Sequence, residues 1–207
     1  MRILVFGDSI TYGAWDSQAG WVERLKCKAH EQTIRSQGAK KVQIINLGIG
    51  GDSSTKILKR MPTEIEARYS ANWPFVFIIT FGANDERSVD GKIETPIEQF
   101  KTNVQAIIDL AKQHSDRIIF IGAPPIGKSV VKFKGQEYSD ERVKQYEQHM
   151  KEIVEIAGLF FVPVRPIFER AGINTLYSYD NIHPNDKGHQ LIAALILPKL
   201  QELLADG

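Results

Sequence analysis

A single cysteine, Cys27, occurs in the 207 residues. That excludes an intramolecular disulfide framework and any zinc centre built on paired thiolates. An excess of one charge is lacking too, since 26 Lys and Arg face 25 Asp and Glu and no Lys/Arg-rich block occurs. The electrostatic footprint of a nucleic-acid or anionic-membrane binder is therefore missing, and neither partner is expected. No apolar run reaches transmembrane length. Met1-Arg2 leads at once into an apolar strand, without the longer apolar stretch and cleavage site of a secretory leader, so cytoplasmic residence is expected. Linkers, internal repeats and low-complexity segments are absent as well, and the chain reads as one domain over residues 1–207.

What is present is globular: 43% of residues are hydrophobic and 25% charged, enough for one sizeable core. Short β-branched and aromatic runs recur at Ile3 to Phe6, Val42 to Leu47, Phe75 to Phe81, Ile118 to Ile121 and Leu159 to Val164. Each is nearly continuous rather than alternating, as in strands covered on both faces. Between them lie helical spacings: Trp21, Val22, Leu25 and Ala29; Phe100, Val104, Ile107, Ile108 and Ala111; and a last helix from about Asn185 through Ile196. Cys27 falls on the first of these helices and is expected as a small core residue. Strand and helix alternating five times predict an α/β fold, an open five-stranded parallel sheet with helices on both faces. Ligands then collect at the carboxyl ends of the strands. The unusual clusters fall there: Gly7 to Gly13, Gly48 to Ser54, Gly82 to Asp85, and the irregular stretch from Ala123 to Ser139, expected as a loop flanking the site.

Arg2-Ile3-Leu4-Val5-Phe6 stops at Gly7-Asp8-Ser9, which places a serine at a strand end where an αβ enzyme exposes a nucleophile. Serine needs a base held in the right tautomer. Asp180-Asn181-Ile182-His183-Pro184 offers both an imidazole and a carboxylate to orient it, the three-residue gap letting the carboxylate reach back within one turn. Donors for a developing oxyanion could come from the backbone N–H of Ser9, the N–H of Gly51 and the side-chain amide of Asn84. Asp8 is expected to brace the first loop and Asp85 to shape the Asn84 turn.

The order of these blocks along the chain resembles that of the SGNH hydrolases, the GDSL esterase/lipase family, with Gly-Asp-Ser-Ile for the usual Gly-Asp-Ser-Leu. The resemblance spans the chain: Ser9 stands in the first family block, Gly51 in the second, Asn84 in the third, and Asp180 with His183 in the fifth. It implies Ser9 as nucleophile, Gly51 and Asn84 as oxyanion-hole donors, His183 as base and Asp180 as its orienter. It also implies a three-layer flavodoxin-like sheet, no metal and no cofactor, and a small-molecule ester as substrate. Short acyl chains are expected, with acetyl esters of carbohydrates, thioesters and lysophospholipids as neighbouring substrate classes.

Other readings of single features stand beside this one. Gly51-Asp52-Ser53 repeats the Gly-Asp-Ser triplet, but Ser53 and Ser54 are expected to cap the following helix. Asp180, His183, Asp186 and His189 recur every third residue, a spacing open to a metal-site reading, although Pro184 breaks any single helix carrying all four. His30, His114 and His149 are expected on solvated helix faces. A flavin- or phosphate-binding module on the same sheet would use Ser9, Thr11 and Gly13, and would leave Asn84, Asp180 and His183 without a role. Trp15 and Tyr179, together with Tyr12 and Tyr177, are candidates for an aromatic-walled substrate pocket. Lys128, Lys132 and Lys134 are expected in an exposed, solvated loop.

Overall fold

The computed structural model describes residues 1–205. Its main sheet contains β1 (Arg2–Gly7), β2 (Gln43–Gly48), β3 (Phe75–Thr80), β6 (Ile118–Ile121) and β9 (Phe160–Val162), all parallel, in the order β2-β1-β3-β6-β9. The five apolar runs thus become the five strands, their ends shifted by one or two residues. Side chains alternate across a strand, so one continuous run serves two cores. Ile3 and Val5 of β1 pack under α2 (Gly20–Arg35), α6 (Arg165–Ala171) and α7 (Asp186–Ala205). Leu4 and Phe6 pack under α3 (Ser54–Glu66), α4 (Ile97–Lys112) and α5 (Asp140–Ile156). A short helix, α1 (Ser9–Tyr12), completes the seven. Among the described residues no helix is long and apolar enough to cross a membrane.

The chain leaves β1 for β2 on one side and returns to β3 on the other. That reversal opens a crevice beyond the carboxyl ends of β1 and β3, where α/β sheets bind ligands. The first strands end on glycine for a steric reason: a Cβ on Gly48 would sit 2.2 Å from the Tyr12 backbone nitrogen. Only a bare backbone lets α1 lie this close across the end of β2.

A second, antiparallel sheet departs from the sequence expectation. The stretch expected to be an irregular loop contains β7 (Val130–Phe133) and β8 (Gln136–Ser139). They pair with a smaller hairpin of β4 (Ser88–Val89) and β5 (Lys92–Ile93), in the order β5-β4-β8-β7. Two-residue turns close both hairpins, Asp90-Gly91 and Lys134-Gly135, with φ of 51° and 76° in each. Paired positive φ values are the mark of a type I′ turn, whose twist matches that of the strands it joins.

Candidate active site

The site starts where the β1 ladder runs out. Asp8 occupies the N-cap of α1, and its Oδ1 accepts from the Ile10 N–H at 2.9 Å. Burial raises the Asp8 carboxyl above the usual range, against the hydrogen bonds from Ile10 and Thr11 and the nearby His183 ring. α1 lasts one turn and ends at Gly13, whose φ of 96° reverses the chain. Ser9 is therefore held at the first position of a helix, on the edge of the crevice.

Its hydroxyl reaches the other end of the sequence. Ser9 Oγ lies 2.7 Å from His183 Nε2, and His183 Nδ1 lies 2.6 Å from Asp180 Oδ2. The loop carrying both residues is folded by local hydrogen bonds: Asp180 Oδ1 accepts from the N–H groups of Ile182 and His183, each at 3.0 Å. Ser178 N–H bonds the His183 carbonyl, and Asn185 Oδ1 receives the Lys187 and Gly188 N–H groups at the entry to α7. Burial by itself would raise the Asp180 carboxyl. The hydrogen bonds from the His183 ring, then from the two backbone N–H groups, outweigh it and bring the carboxyl down to about 2. An ionised Asp180 accepts the Nδ1–H, which leaves Nε2 as the acceptor for the Ser9 proton.

The loops after β2 and β3 close on the same point. Gly51 has φ of 81°, in a turn where Asp52 N–H bonds the Ile49 carbonyl. A Cβ on the adjoining Gly50 would stand 4.0 Å from Ser9 Cβ, so this turn runs beside the hydroxyl. Asn84 is buried. Its Nδ2 donates to the Asp52 carbonyl at 2.9 Å and makes a long 3.4 Å contact with Asp8 Oδ2, while its Oδ1 accepts from Arg87 Nη1 at 3.3 Å. A guanidinium can only donate, so Arg87 fixes which way the amide faces and turns its NH₂ toward the Asp8-Ser9 loop.

With this arrangement in view, the likeness to known proteins has a physical basis. A model of the GDSL-like lipase/acylhydrolase family matches residues 5–191, from β1 to the start of α7. The chain belongs to that family. This hydrolase is 25% identical to GDSL esterase/lipase CPRD49 of Arabidopsis thaliana, over 97% of its own length and 79% of the relative's. It is 24% identical to the isoamyl acetate-hydrolyzing esterase of Saccharomyces cerevisiae, over 92% and 82%. Among solved structures, the lipase/acylhydrolase from Enterococcus faecalis superposes with a TM-score of 0.73 at 25% identity, covering 97% of this chain and 95% of that one. The GDSL hydrolase is thus an esterase/lipase-type enzyme on a flavodoxin-like sheet.

Several residues of the hydrolase make contacts other than those the sequence suggested. Ser53 occupies the N-cap of α3 without making a side-chain capping bond. The Asp85 carboxylate takes that role, accepting from the Ser54 N–H at 3.0 Å and from Ser54 Oγ, although burial pushes its carboxyl up to about 6. Asp85 therefore ties the Asn84 loop to α3 rather than shaping a local turn. Cys27 is exposed on α2, not in the core. Tyr177 is buried, its hydroxyl donating to the Pro125 carbonyl, so it anchors a loop. Thr11 is buried as well, out of reach of any phosphate or flavin. Asp186 accepts from the N–H and hydroxyl of Ser17, and fully buried His189 donates through Nε2 to the Ala14 carbonyl at 3.2 Å. The four residues spaced by three thus diverge in pairs, and none of the described residues form a group of three or more His, Cys, Asp or Glu able to hold a metal ion. His30 and His114 are exposed, the latter just beyond α4. His149 lies 3.6 Å from Glu152 on α5.

Trp15 and Tyr179 form a rim, not a walled pocket: their rings are 5.9 Å apart and both are exposed. Tyr12 is exposed on α1 beside them in sequence. Lys128, Lys132 and Lys134 sit on or next to the β7-β8 hairpin, with Lys132 3.8 Å from Glu137 and Lys134 over the Phe133 ring. Sequence reasoning missed two participants. Arg87, buried behind Asn84, follows the Gly-Ala-Asn-Asp block by two residues. Trp15 does more than line the rim, since its indole N–H points into the relay.

Proposed function

We propose that this hydrolase cleaves small carboxylic esters with short acyl chains through an acyl-enzyme. One observation carries the reading: an unbroken hydrogen-bonded line from Ser9 Oγ through the His183 ring to Asp180, 2.7 and 2.6 Å per step. In the acylation step Ser9 Oγ attacks the ester carbonyl carbon as its proton passes to His183 Nε2. The resulting imidazolium is stabilised by ionised Asp180 and returns the proton to the leaving alcohol oxygen as the C–O bond breaks. Water then enters by the same route: His183 takes its proton, the hydroxide oxygen attacks the acyl carbon, and Ser9 leaves with the proton as the carboxylic acid is released.

The charge that develops on the carbonyl oxygen needs donors fixed in advance. The N–H groups of Ser9 and Gly51 and the Asn84 amide are assigned that part. Asn84→Ala is expected to lower kcat by about 10² to 10³ with a much smaller change in KM, as for the loss of one oxyanion donor. Steady-state kinetics on p-nitrophenyl acetate give the measurement, and a loss below tenfold would remove Asn84 from the assignment.

Preference for short acyl groups rests on what surrounds the Asn84 side of the crevice. Asp8, Asp52, Arg87 and Tyr138 are buried there, and Arg87 Nη1 would lie 3.8 Å from a Cβ on Gly51. A wall made of such polar groups gives a long alkyl chain little apolar surface to bury against, whereas an acetyl group needs almost none. The yeast relative, named for an acetate ester, is in keeping with this. Across p-nitrophenyl esters, kcat/KM is expected to peak between acetate and butyrate and to fall by about tenfold or more at octanoate. A maximum at octanoate would overturn the short-chain assignment while leaving the chemistry of the serine untouched.

A further inference from the structure

The Asp180 carboxylate has one more donor than the relay needs. Its Oδ1 is occupied by two backbone N–H groups and its Oδ2 by His183 Nδ1. Trp15 Nε1 adds a fourth, 2.9 Å from that same Oδ2 and 3.2 Å from His183 Nδ1. The lone pairs of the carboxylate are then fully subscribed.

We propose that Trp15 is a positioning residue of the relay, its indole N–H sharing Asp180 Oδ2 with His183 so that the imidazole is held in its neutral, proton-accepting form. This rests on the assignment of Ser9, His183 and Asp180 made above. Two effects act in the same direction. A second N–H on Oδ2 draws negative charge away from the carboxylate, which then stabilises an imidazolium less. The positive end of the indole N–H also faces Nδ1, where a second positive charge on the ring would be repelled. The charge of His183 is felt in turn by Asp8 at the end of β1 and by His189 on α7, besides Asp180 on its own loop.

The backbone around Trp15 is built to hold this contact. Trp15 has φ of 65°, a left-handed conformation that is strained for a bulky side chain and persists only where neighbours over-determine it. They do so here. On one side buried His189 takes the Ala14 carbonyl. On the other, Asp186 takes both donors of Ser17, and Asp16 accepts from the Gly20 N–H and from Arg24. Asp186 and His189 lie on the first turn of the helix that follows the relay loop, so one short C-terminal segment holds both the relay and the loop that presents Trp15. The indole then stands edge-on to the imidazole, ring centres 6.0 Å apart at 85°.

Trp15→Phe keeps an aromatic ring and the backbone demand but removes the donor. The acid limb of the kcat/KM–pH profile is expected to move to higher pH by about half a unit or more. A merely structural role would lower kcat equally at every pH and leave the limb in place, and a limb displaced by less than about half a unit would overturn the inference. A second measurement uses the native indole in the inactive Ser9→Ala protein. The Trp15 Nε1–H resonance is expected to titrate together with the His183 ring nitrogens, and an indole signal indifferent to that titration would also overturn it. An inactive Ser9→Ala alongside an unmoved Trp15→Phe profile removes Trp15 alone. An active Ser9→Ala removes the relay itself.

Discussion

Replacing Ser9 with alanine is expected to abolish ester hydrolysis, lowering kcat by at least about 10⁴-fold. The magnitude follows from what remains. His183 would still be oriented by Asp180, but with no hydroxyl to activate it could at best assist a poorly placed water. The fold should not suffer, because the side chain that caps α1 belongs to Asp8 and the bond made by Ser9 Oγ is to His183. Thermal unfolding should therefore match the wild type while hydrolysis of p-nitrophenyl acetate disappears. The chain supplies its own control in Gly51-Asp52-Ser53. Ser53 is almost fully buried, and among the described residues the imidazole of His183 bonds Ser9 and not Ser53, so Ser53→Ala should keep its rate. Retained activity in Ser9→Ala would contradict the account.

Asp180→Asn is expected to cost about 10⁴ in kcat. The amide is nearly isosteric with the carboxylate, yet it cannot satisfy the same partners. Every N–H around Asp180 is a donor: two backbone groups at Oδ1, His183 Nδ1 and the Trp15 indole at Oδ2. An NH₂ in either oxygen's place meets donors head-on. Turned toward His183 it would favour the tautomer with the proton on Nε2, which cannot accept from Ser9. The pH dependence separates the two carboxylate-linked effects. With its carboxyl at about 2, wild-type Asp180 stays ionised through the working range, so activity lost on mild acidification reports protonation of the imidazole. Steady-state kinetics of the variant check this, and a loss below tenfold would argue that the imidazole is oriented by something else.

Much of this arrangement was legible in the residues. Five nearly continuous apolar runs identified strands buried on both faces, and the glycine-containing loops after them held Ser9, Gly51 and Asn84. The Asp180–His183 spacing foretold a contact that local hydrogen bonds then make. What was illegible depends on partners far apart in sequence or on very short elements. β4 and β5 have two residues each, too few for any alternation, although Asp90-Gly91 and Lys134-Gly135 carried the turn signal. Ser53 looked like the side-chain cap of α3 because a cap is sought locally, whereas Asp85 lies 31 residues from the Ser54 N–H that it caps. Cys27 could have been placed correctly: it stands two residues from both Leu25 and Ala29, on the opposite face of a helix whose apolar stripe those residues mark. The indole bond of Trp15 depends on a left-handed backbone angle, and no residue preference announces that.

The account turns on which atom carries the acyl group. Treating the protein with a fluorophosphonate and mapping the adduct by peptide mass spectrometry asks this directly. One equivalent on the peptide containing Ser9, lost in Ser9→Ala and suppressed by a competing short-chain ester, is the predicted result. An adduct on Ser53 or any other serine, or none at all on protein that hydrolyses p-nitrophenyl acetate, would contradict it.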